Sequence, residues 1–408
     1  MKITFVLNSI GRVGGVRVVF EHARHLRKRG HDVSVVYPAM NLIHLKRLTF
    51  GAFALWLLAS TIRHVQNLIR PNPEQPFATE IRVIRVPTLH PRFAKSVERV
   101  VPDADAILAT AWEIAYPVNV LSDSKGKKFY FVQSYEIWDV LNDPACWKEA
   151  KRLRKGDDTC ALAMASVTPK KKNARESKVL VDRSYGLPLR KIAISEWLNT
   201  LIEDKFDQHT DGVVPNGVNF DIFYEEGQRR ATAEYVNVLM PYWPERFKGF
   251  SDGLDAFARI KTRHPDTRFA VFGRKPIATV GQLRKLPEWV QFHAITSDAQ
   301  LRALYNEAHI FVVPSWIEGF GLPPMEAMAC GCAVVATNAG GFTDYLTNGE
   351  NALLVPIQNP GALAQSVCRL IENEEERGRV AENGHQFVKQ FTWEDAAERL
   401  EAILTKKE

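Results

Sequence analysis

The sequence predicts an α/β protein built from two Rossmann-like domains that face each other across a cleft. Two observations carry this reading. At 408 residues the chain is long enough for two or three domains of roughly 150 residues each. Short apolar runs alternate with amphipathic helical segments in two successive series, one on either side of Pro215-Asn216-Gly217. Strand–helix–strand alternation of this kind implies parallel sheets joined by right-handed crossovers.

The first series opens with a buried-strand pattern at residues 3–7, a glycine-bearing loop at 10–15 and an amphipathic helix at 16–29, in which Val18, Val19, Ala23 and Leu26 share one face. Gly30 stops that helix, and 33–37 reads as the next strand. Further strands are expected at 106–109, 128–132 and 191–194, the last running into a helix at 196–205. The second series places strands at 235–240, 268–272, 309–313, 333–336 and 352–355. A closing helix at 393–404 starts from the N-cap residue Thr392. The expected domains are therefore 1–212, completed by the closing helix at 392–408, and 213–391. The basic segment 148–178, with Lys170-Lys171-Lys172, is expected as a loop or mobile helix on the rim.

Composition excludes several classes. Hydrophobic residues at 46% and charged residues at 25% belong to an ordinary globular chain, not to a disordered, collagenous or disulfide-stapled one. The five cysteines, Cys146, Cys160, Cys330, Cys332 and Cys368, are odd in number and scattered, as expected of reduced thiols in a cytoplasmic protein. Cys330-Gly331-Cys332 is too closely spaced for a metal knuckle and reads as a small packed pair. The apolar start is too short for a signal-peptide core. The longest charge-free stretch, 48–62, would reach only about 22 Å as a helix against a bilayer core of ~30 Å. It is flanked by Lys46-Arg47, Arg63 and Arg70, which suits either a buried helix or one docked on an anionic membrane surface over residues 44–70.

Charge is divided unevenly: residues 1–190 sum to about +14 and residues 191–408 to about −8. The basic half can face nucleic acid, an anionic membrane or a phosphorylated substrate. No zinc-finger spacing and no aromatic-basic sheet signature accompanies the charge, so nucleic acid is not an expected partner. The eleven histidines show no ligand spacing, and no metal is expected. Asp103-Ala104-Asp105 precedes the strand at 106–109 and reads as a solvated turn, not a metal-binding pair.

The first glycine loop has the spacing Gly11-x-x-Gly14-Gly15, and no acidic residue ends the second strand at Val36-Tyr37-Pro38, which argues against a dinucleotide. The loop is either a simple strand-to-helix turn or one whose amides approach a phosphate or sugar. The richest string lies in the second half. A strand ending at Pro314-Ser315 is followed by Glu318-Gly319-Phe320-Gly321-Leu322-Pro323-Pro324-Met325-Glu326, with a short helix from Pro324. A glycine loop that opens a helix at the carboxyl end of a strand favours a diphosphate, and its two carboxylates can accept hydrogen bonds from sugar hydroxyls.

This string resembles the retaining glycosyltransferases of family four, which have the two-domain GT-B fold. Ser195-Glu196-Trp197, Pro215-Asn216-Gly217-Val218, Lys248-Gly249, Gly340-Gly341-Phe342 and Asn351-Ala352-Leu353-Leu354-Val355-Pro356 extend the resemblance, most specifically from about residue 192 onward. It implies a nucleotide diphosphate sugar donor held mainly by the second domain and a glycan or glycolipid acceptor held mainly by the first. It implies no metal and no further cofactor. By this resemblance Glu326 holds the nucleotide ribose and Glu318 sits beside the transferred sugar. The amides of Phe320, Gly321 and Leu322, next to Gly319, meet the sugar and diphosphate, and Lys248 neutralises the leaving group. Gly14 and Gly15 approach the donor from the first domain.

Two departures from the family pattern stand out. Relatives usually carry an arginine five or six residues before the lysine, where this chain has Trp243 and Tyr242; Arg246 and Arg274 are the candidate substitutes, or solvated surface charges. A histidine common near Gln133 and Ser134 is missing. Gln133-x-Tyr135-Glu136 resembles relatives that transfer rhamnose or similar sugars in polysaccharide assembly, or it simply caps the sheet. Trp112-Glu113 is a weaker cleft candidate. The resemblance implies a cytoplasmic protein, peripheral on the inner membrane face where its acceptor is lipid-linked. The competing classes are a sugar epimerase or phosphorylase on the same fold, a non-catalytic sugar-nucleotide-binding protein, and a basic adaptor.

Overall fold

Two all-parallel sheets organise the chain. The first holds seven strands, β1 Lys2–Val6, β2 Asp32–Met40, β3 Arg82–Thr88, β4 Ala106–Ala109, β5 Lys127–Val132, β6 Arg190–Ala193 and β7 Gly212–Val213, in the order β3-β2-β1-β4-β5-β6-β7. The second holds six, β8 Asn237–Pro241, β9 Arg268–Gly273, β10 Val290–Ala294, β11 Ile310–Val313, β12 Ala333–Thr337 and β13 Leu353–Val355, in the order β10-β9-β8-β11-β12-β13. The computed structural model describes residues 1–10, 14–40, 81–89, 94–153, 163–227, 234–273 and 286–406. Residues 44–70 therefore lie outside the described residues, as do Arg274 and Cys160.

The inner strands β4, β11 and β12 are buried along their whole length, which is why they read as solid apolar runs. Strands β3, β7 and β10 were not expected from the sequence. In β3, Arg82 and Arg85 break up the apolar residues and Pro87 interrupts the run, a pattern tolerated at an edge, and all three strands lie at sheet edges.

Both strand orders reverse beside the strand that begins the sheet. β1 lies between β2 and β4, and β8 lies between β9 and β11. Such a reversal opens a crevice at the carboxyl ends of the strands, where open α/β sheets bind ligands. The connections between the sheets run side by side. Val218 N donates to Phe391 O at 2.9 Å, and a side chain at Gly217 would collide with the Thr392–Trp393 backbone. Beyond that crossing, the helix Trp393–Thr405 starts with the Thr392 side chain accepting from Asp395 N at 3.0 Å, the expected cap. It packs on the first helix, α1 (Gly14–Lys28), and Glu401 pairs with Arg29 and His31 just beyond the end of α1.

The basic segment 148–178 is helical at both ends. The helix Pro144–Leu153 buries Cys146, Trp147 and Ala150, and the helix Lys172–Tyr185 buries Ala174 and Val181; Lys170, Lys171 and Lys172 stay exposed. Asp105 accepts from Lys2 N at 2.7 Å and Asp103 pairs with Lys125 at 2.8 Å, so the Asp-Ala-Asp string is a turn fastened to β1 and to the 3₁₀ turn before β5. Cys330 and Cys332 are buried and form no disulfide, and the Cys332 thiol donates to Tyr305 O at 3.0 Å. Among the described residues no helix is long and apolar enough to cross a membrane.

Candidate active site

The loops that follow β8 and β11 meet in the crevice of the second sheet. After β8 the chain makes a short 3₁₀ turn at Arg246–Lys248 and enters the helix Phe250–Arg263 through Gly249. Gly249 has φ +67°, and a side chain there would strike the Pro314 carbonyl at the end of β11, so only glycine allows this approach. The close approach sets Lys248 against Glu318. Its Nζ donates to both Glu318 carboxylate oxygens at 2.8 Å, and Ser315 Oγ donates to Oε1 at 2.8 Å.

Past Glu318 the loop is braced from behind. Gly341 N donates to Glu318 O at 3.0 Å, and Tyr345 OH donates to Gly321 O at 2.6 Å. Side chains at Gly340 and Gly341 would overlap the carbonyls of Glu318 and Gly319. The Gly340-Gly341-Phe342 string is thus the support of the Glu318–Gly321 loop. Phe320 is buried with its ring 5.2 Å from that of Tyr345. Leu322 begins the helix Leu322–Ala329, with proline in its first turn.

That helix presents Glu326, the residue expected to hold the ribose, whose carboxylate is paired within the protein in this arrangement. Arg17 Nη1 donates to Glu326 Oε1 at 3.1 Å, and Tyr305 OH donates to Oε2 at 3.2 Å. The side chains of Arg17 and Glu326 are 15% and 7% exposed. Burial pushes the Glu326 carboxyl above its ordinary range, opposed by the Arg17 charge. Burial works against the Arg17 charge too, but Glu326, Asp298 and Glu21 more than offset it. Burial and the Glu326 charge hold the Tyr305 hydroxyl well above its usual pKa. Sequence reading missed Arg17; its one signal was its position just after Gly14-Gly15.

From the first sheet, the ends of β1, β4 and β5 close the other side. Gln133 follows β5; its Nε2 donates to Thr110 O at 3.3 Å, while its Oε1 is buried without a partner among the described residues. A Cβ on Gly15 would stand 3.1 Å from that oxygen, and one on Gly319 would collide with the Gln133 carbonyl. Gly15, Gln133 and Gly319 therefore meet across the cleft, with Gly14 exposed at the start of α1. Glu136 accepts from Trp112 N at 2.8 Å and so caps the helix Trp112–Asn119, and both Trp112 and Glu113 are buried. Burial, then the Glu113 charge, raises the Glu136 carboxyl well above its usual pKa. Arg246 is exposed, its guanidinium 5.6 Å from the Trp316 ring centroid. Arg274, the other candidate substitute, lies outside the described residues. Among the described residues, no group of three or more His, Cys, Asp or Glu residues is placed to hold a metal ion.

Residues 244–387, which carry Lys248, Glu318 and Glu326, match the family "Glycosyl transferases group 1". Over these residues the chain is similar to that family. An uncharacterised glycosyltransferase of Methanocaldococcus jannaschii is 30% identical over 212 residues, 50% of this chain and 55% of that protein. The phosphatidyl-myo-inositol mannosyltransferase of Mycobacterium tuberculosis is 28% identical over 195 residues, 46% of this chain and 52% of that protein. The chain thus spans about half the length of the curated relatives it matches. The structure of Anabaena HepE in complex with UDP-glucose superposes with a TM-score of 0.68 at 18% identity, covering 99% of both chains. The two sheets form a GT-B fold.

Proposed function

We propose that this protein is a retaining glycosyltransferase that moves a sugar from a nucleotide diphosphate sugar to a hydroxyl of a glycan or lipid-linked glycan acceptor. The observation that carries the proposal is the gathering of Lys248, Glu318 and Glu326 around one switch-point crevice, opposite Gly15 and Gln133 of the other sheet. The N-terminus of the helix Leu322–Ala329 and the amides of Gly319, Phe320, Gly321 and Leu322 favour the diphosphate. Lys248, positioned by Glu318, stabilises the negative charge that grows as the sugar departs.

In this reading the bond between the sugar carbon and the phosphate oxygen breaks while the bond to the acceptor oxygen forms on the same face. The leaving phosphate oxygen takes the acceptor proton, so no side-chain nucleophile is required, and the protein contributes positioning and electrostatics. Gln133 faces the sugar from the first domain, and the string Gln133-x-Tyr135-Glu136 supports rhamnose or a related sugar as cargo. The basic first half and the lipid-directed mycobacterial relative support a lipid-linked acceptor and a place at the cytoplasmic membrane face.

Thermal-shift screening against UDP, GDP, ADP and dTDP sugars tests the donor, because a ligand that binds only the folded chain raises its apparent stability. Mass spectrometry of acceptor mixtures then separates transfer from isomerisation. A chain stabilised by none of these donors sinks the proposal, and a bound donor that is only isomerised replaces the transferase with an epimerase.

A further inference from the structure

Glu326 is the acidic group assigned above to the ribose, yet a cation from the other sheet already occupies it. Arg17 reaches across 309 positions of sequence to bond it at 3.1 Å, while Tyr305 takes the second oxygen. We propose, resting on the donor assignment above, that Arg17 is an exchangeable cation. It pairs with Glu326 in this arrangement and passes to the donor's diphosphate when the ribose hydroxyls take the carboxylate.

Three observations support this. The Glu326 side chain is only 7% exposed, so a ribose that reaches it has to move Arg17 aside. A shielded guanidinium is costly to strand without an anion. Of its other carboxylate neighbours, Asp298 stands farther off at 3.7 Å and is 43% exposed, and Glu21 is paired with Arg24 at 2.9 Å. A nucleotide diphosphate sugar resolves this in one event, because it brings neutral hydroxyls for Glu326 and an anionic diphosphate for the released arginine.

Second, the sequence positions where relatives carry the diphosphate arginine hold no arginine here. Tyr242 and Trp243 stand where an arginine fork was expected, and the Arg246 guanidinium lies over the Trp316 ring. Lys248 supplies a point charge, whereas bidentate pairing with phosphate oxygens needs a guanidinium. Third, Arg17 sits in the opening turn of α1, two residues beyond Gly15, whose neighbour Gln133 abuts Gly319 of the diphosphate loop. The Arg17 backbone is therefore anchored beside the loop that meets the diphosphate.

Calorimetric titration of the full chain with four pairs, UDP and uridine, GDP and guanosine, ADP and adenosine, dTDP and thymidine, tests the exchange. The measurement is made at pH 8, to favour the ionised Glu326, on wild type, Arg17→Met and Arg17→Lys. For the base that wild type binds, Arg17→Met should lose about tenfold of the affinity that the diphosphate adds over the nucleoside. The nucleoside itself should bind at least about twofold more tightly, since nothing then competes for Glu326. Arg17→Lys should fall between the two, having charge without a fork. Equal loss of nucleoside and diphosphate affinity, or no change in either, overturns the exchange and leaves Arg17 a structural contact. Should Arg17→Met fail to fold, Arg17→Gln and Arg17→Lys carry the same comparison. Failure of wild type to bind any nucleotide defeats the donor assignment and this inference together, whereas normal wild-type binding with an unchanged ratio defeats the inference alone.

Discussion

Lys248 donates to both oxygens of Glu318, so its charge is fixed in place before any bond to the sugar weakens. A preorganised cation acts most on the charge that develops during reaction. Lys248→Ala should therefore lower kcat by about a hundredfold or more, with little change in KM, in steady-state transfer assays. If turnover holds while KM rises, the lysine serves binding alone. Glu326→Ala removes a charged hydrogen-bond acceptor worth about 1.5–3 kcal/mol, so in the folded variant donor affinity should fall by roughly ten- to a hundredfold, with some stability lost because Arg17 is left without its partner. An unchanged donor Kd would remove Glu326 from the ribose site. His22 of α1 illustrates a different residue-scale cost. Its ring lies edge-on to Phe131 at 5.3 Å and Trp393 at 5.4 Å, and neither nitrogen has a partner among the described residues. Burial lowers its pKa from 6.5 to about 3. The unfolded chain therefore binds a proton that the folded chain refuses between those values. Stability is whole above the unfolded pKa and falls toward pH 3 by up to about 1.4 kcal/mol per pH unit. His22→Phe should remove that share of the slope in urea titrations between pH 7 and 4.5; parallel curves for both proteins would assign the acid sensitivity to another group.

Elements differ in how openly the sequence announces them. The central strands β1, β4, β8, β11 and β12 are apolar because helices or loops cover both faces, and such runs are visible without a structure. Edge strands are half solvated and need no such run, which hid Arg82–Thr88 and Val290–Ala294. The Glu318–Glu326 string was legible because one strand, one loop and one helix supply it consecutively. Arg17 was not, since only the facing of two sheets makes it a neighbour of Glu326. The same facing makes Gly319 a contact element: its α-carbon lies so close to the Gln133 carbonyl that a methyl has no room. Gly319→Ala should cost about 1–3 kcal/mol, as overpacking does, and should depress transfer further by displacing the loop amides. Chemical denaturation beside kcat measures both; wild-type stability and turnover in this variant would mean that the two sheets do not approach as closely as described.

At the scale of the whole molecule, both switch points open onto the same cleft, and several contacts hold its walls together. Asp344, after β12, accepts from the Glu196 amide and caps the helix Glu196–Phe206. On the opposite flank, Trp138 stacks on Phe247 at 5.5 Å and 18°, Trp147 meets Trp316 edge-on at 5.2 Å, and Arg246 N donates to Asn142 Oδ1 at 2.9 Å. Phe247 adjoins Lys248 in sequence, so this aromatic clasp couples the position of the cation to closure of the cleft. Closure excludes water from a donor that water can hydrolyse. Trp138 is 40% exposed, so its truncation removes the stack on Phe247 with little damage to either core. Trp138→Ala should therefore slow transfer and raise the fraction of donor hydrolysed, by about threefold or more, measured as free sugar released against sugar transferred. Loss of both products in equal proportion, with the melting temperature lowered, would make Trp138 a packing residue and leave water exclusion to other contacts of the cleft.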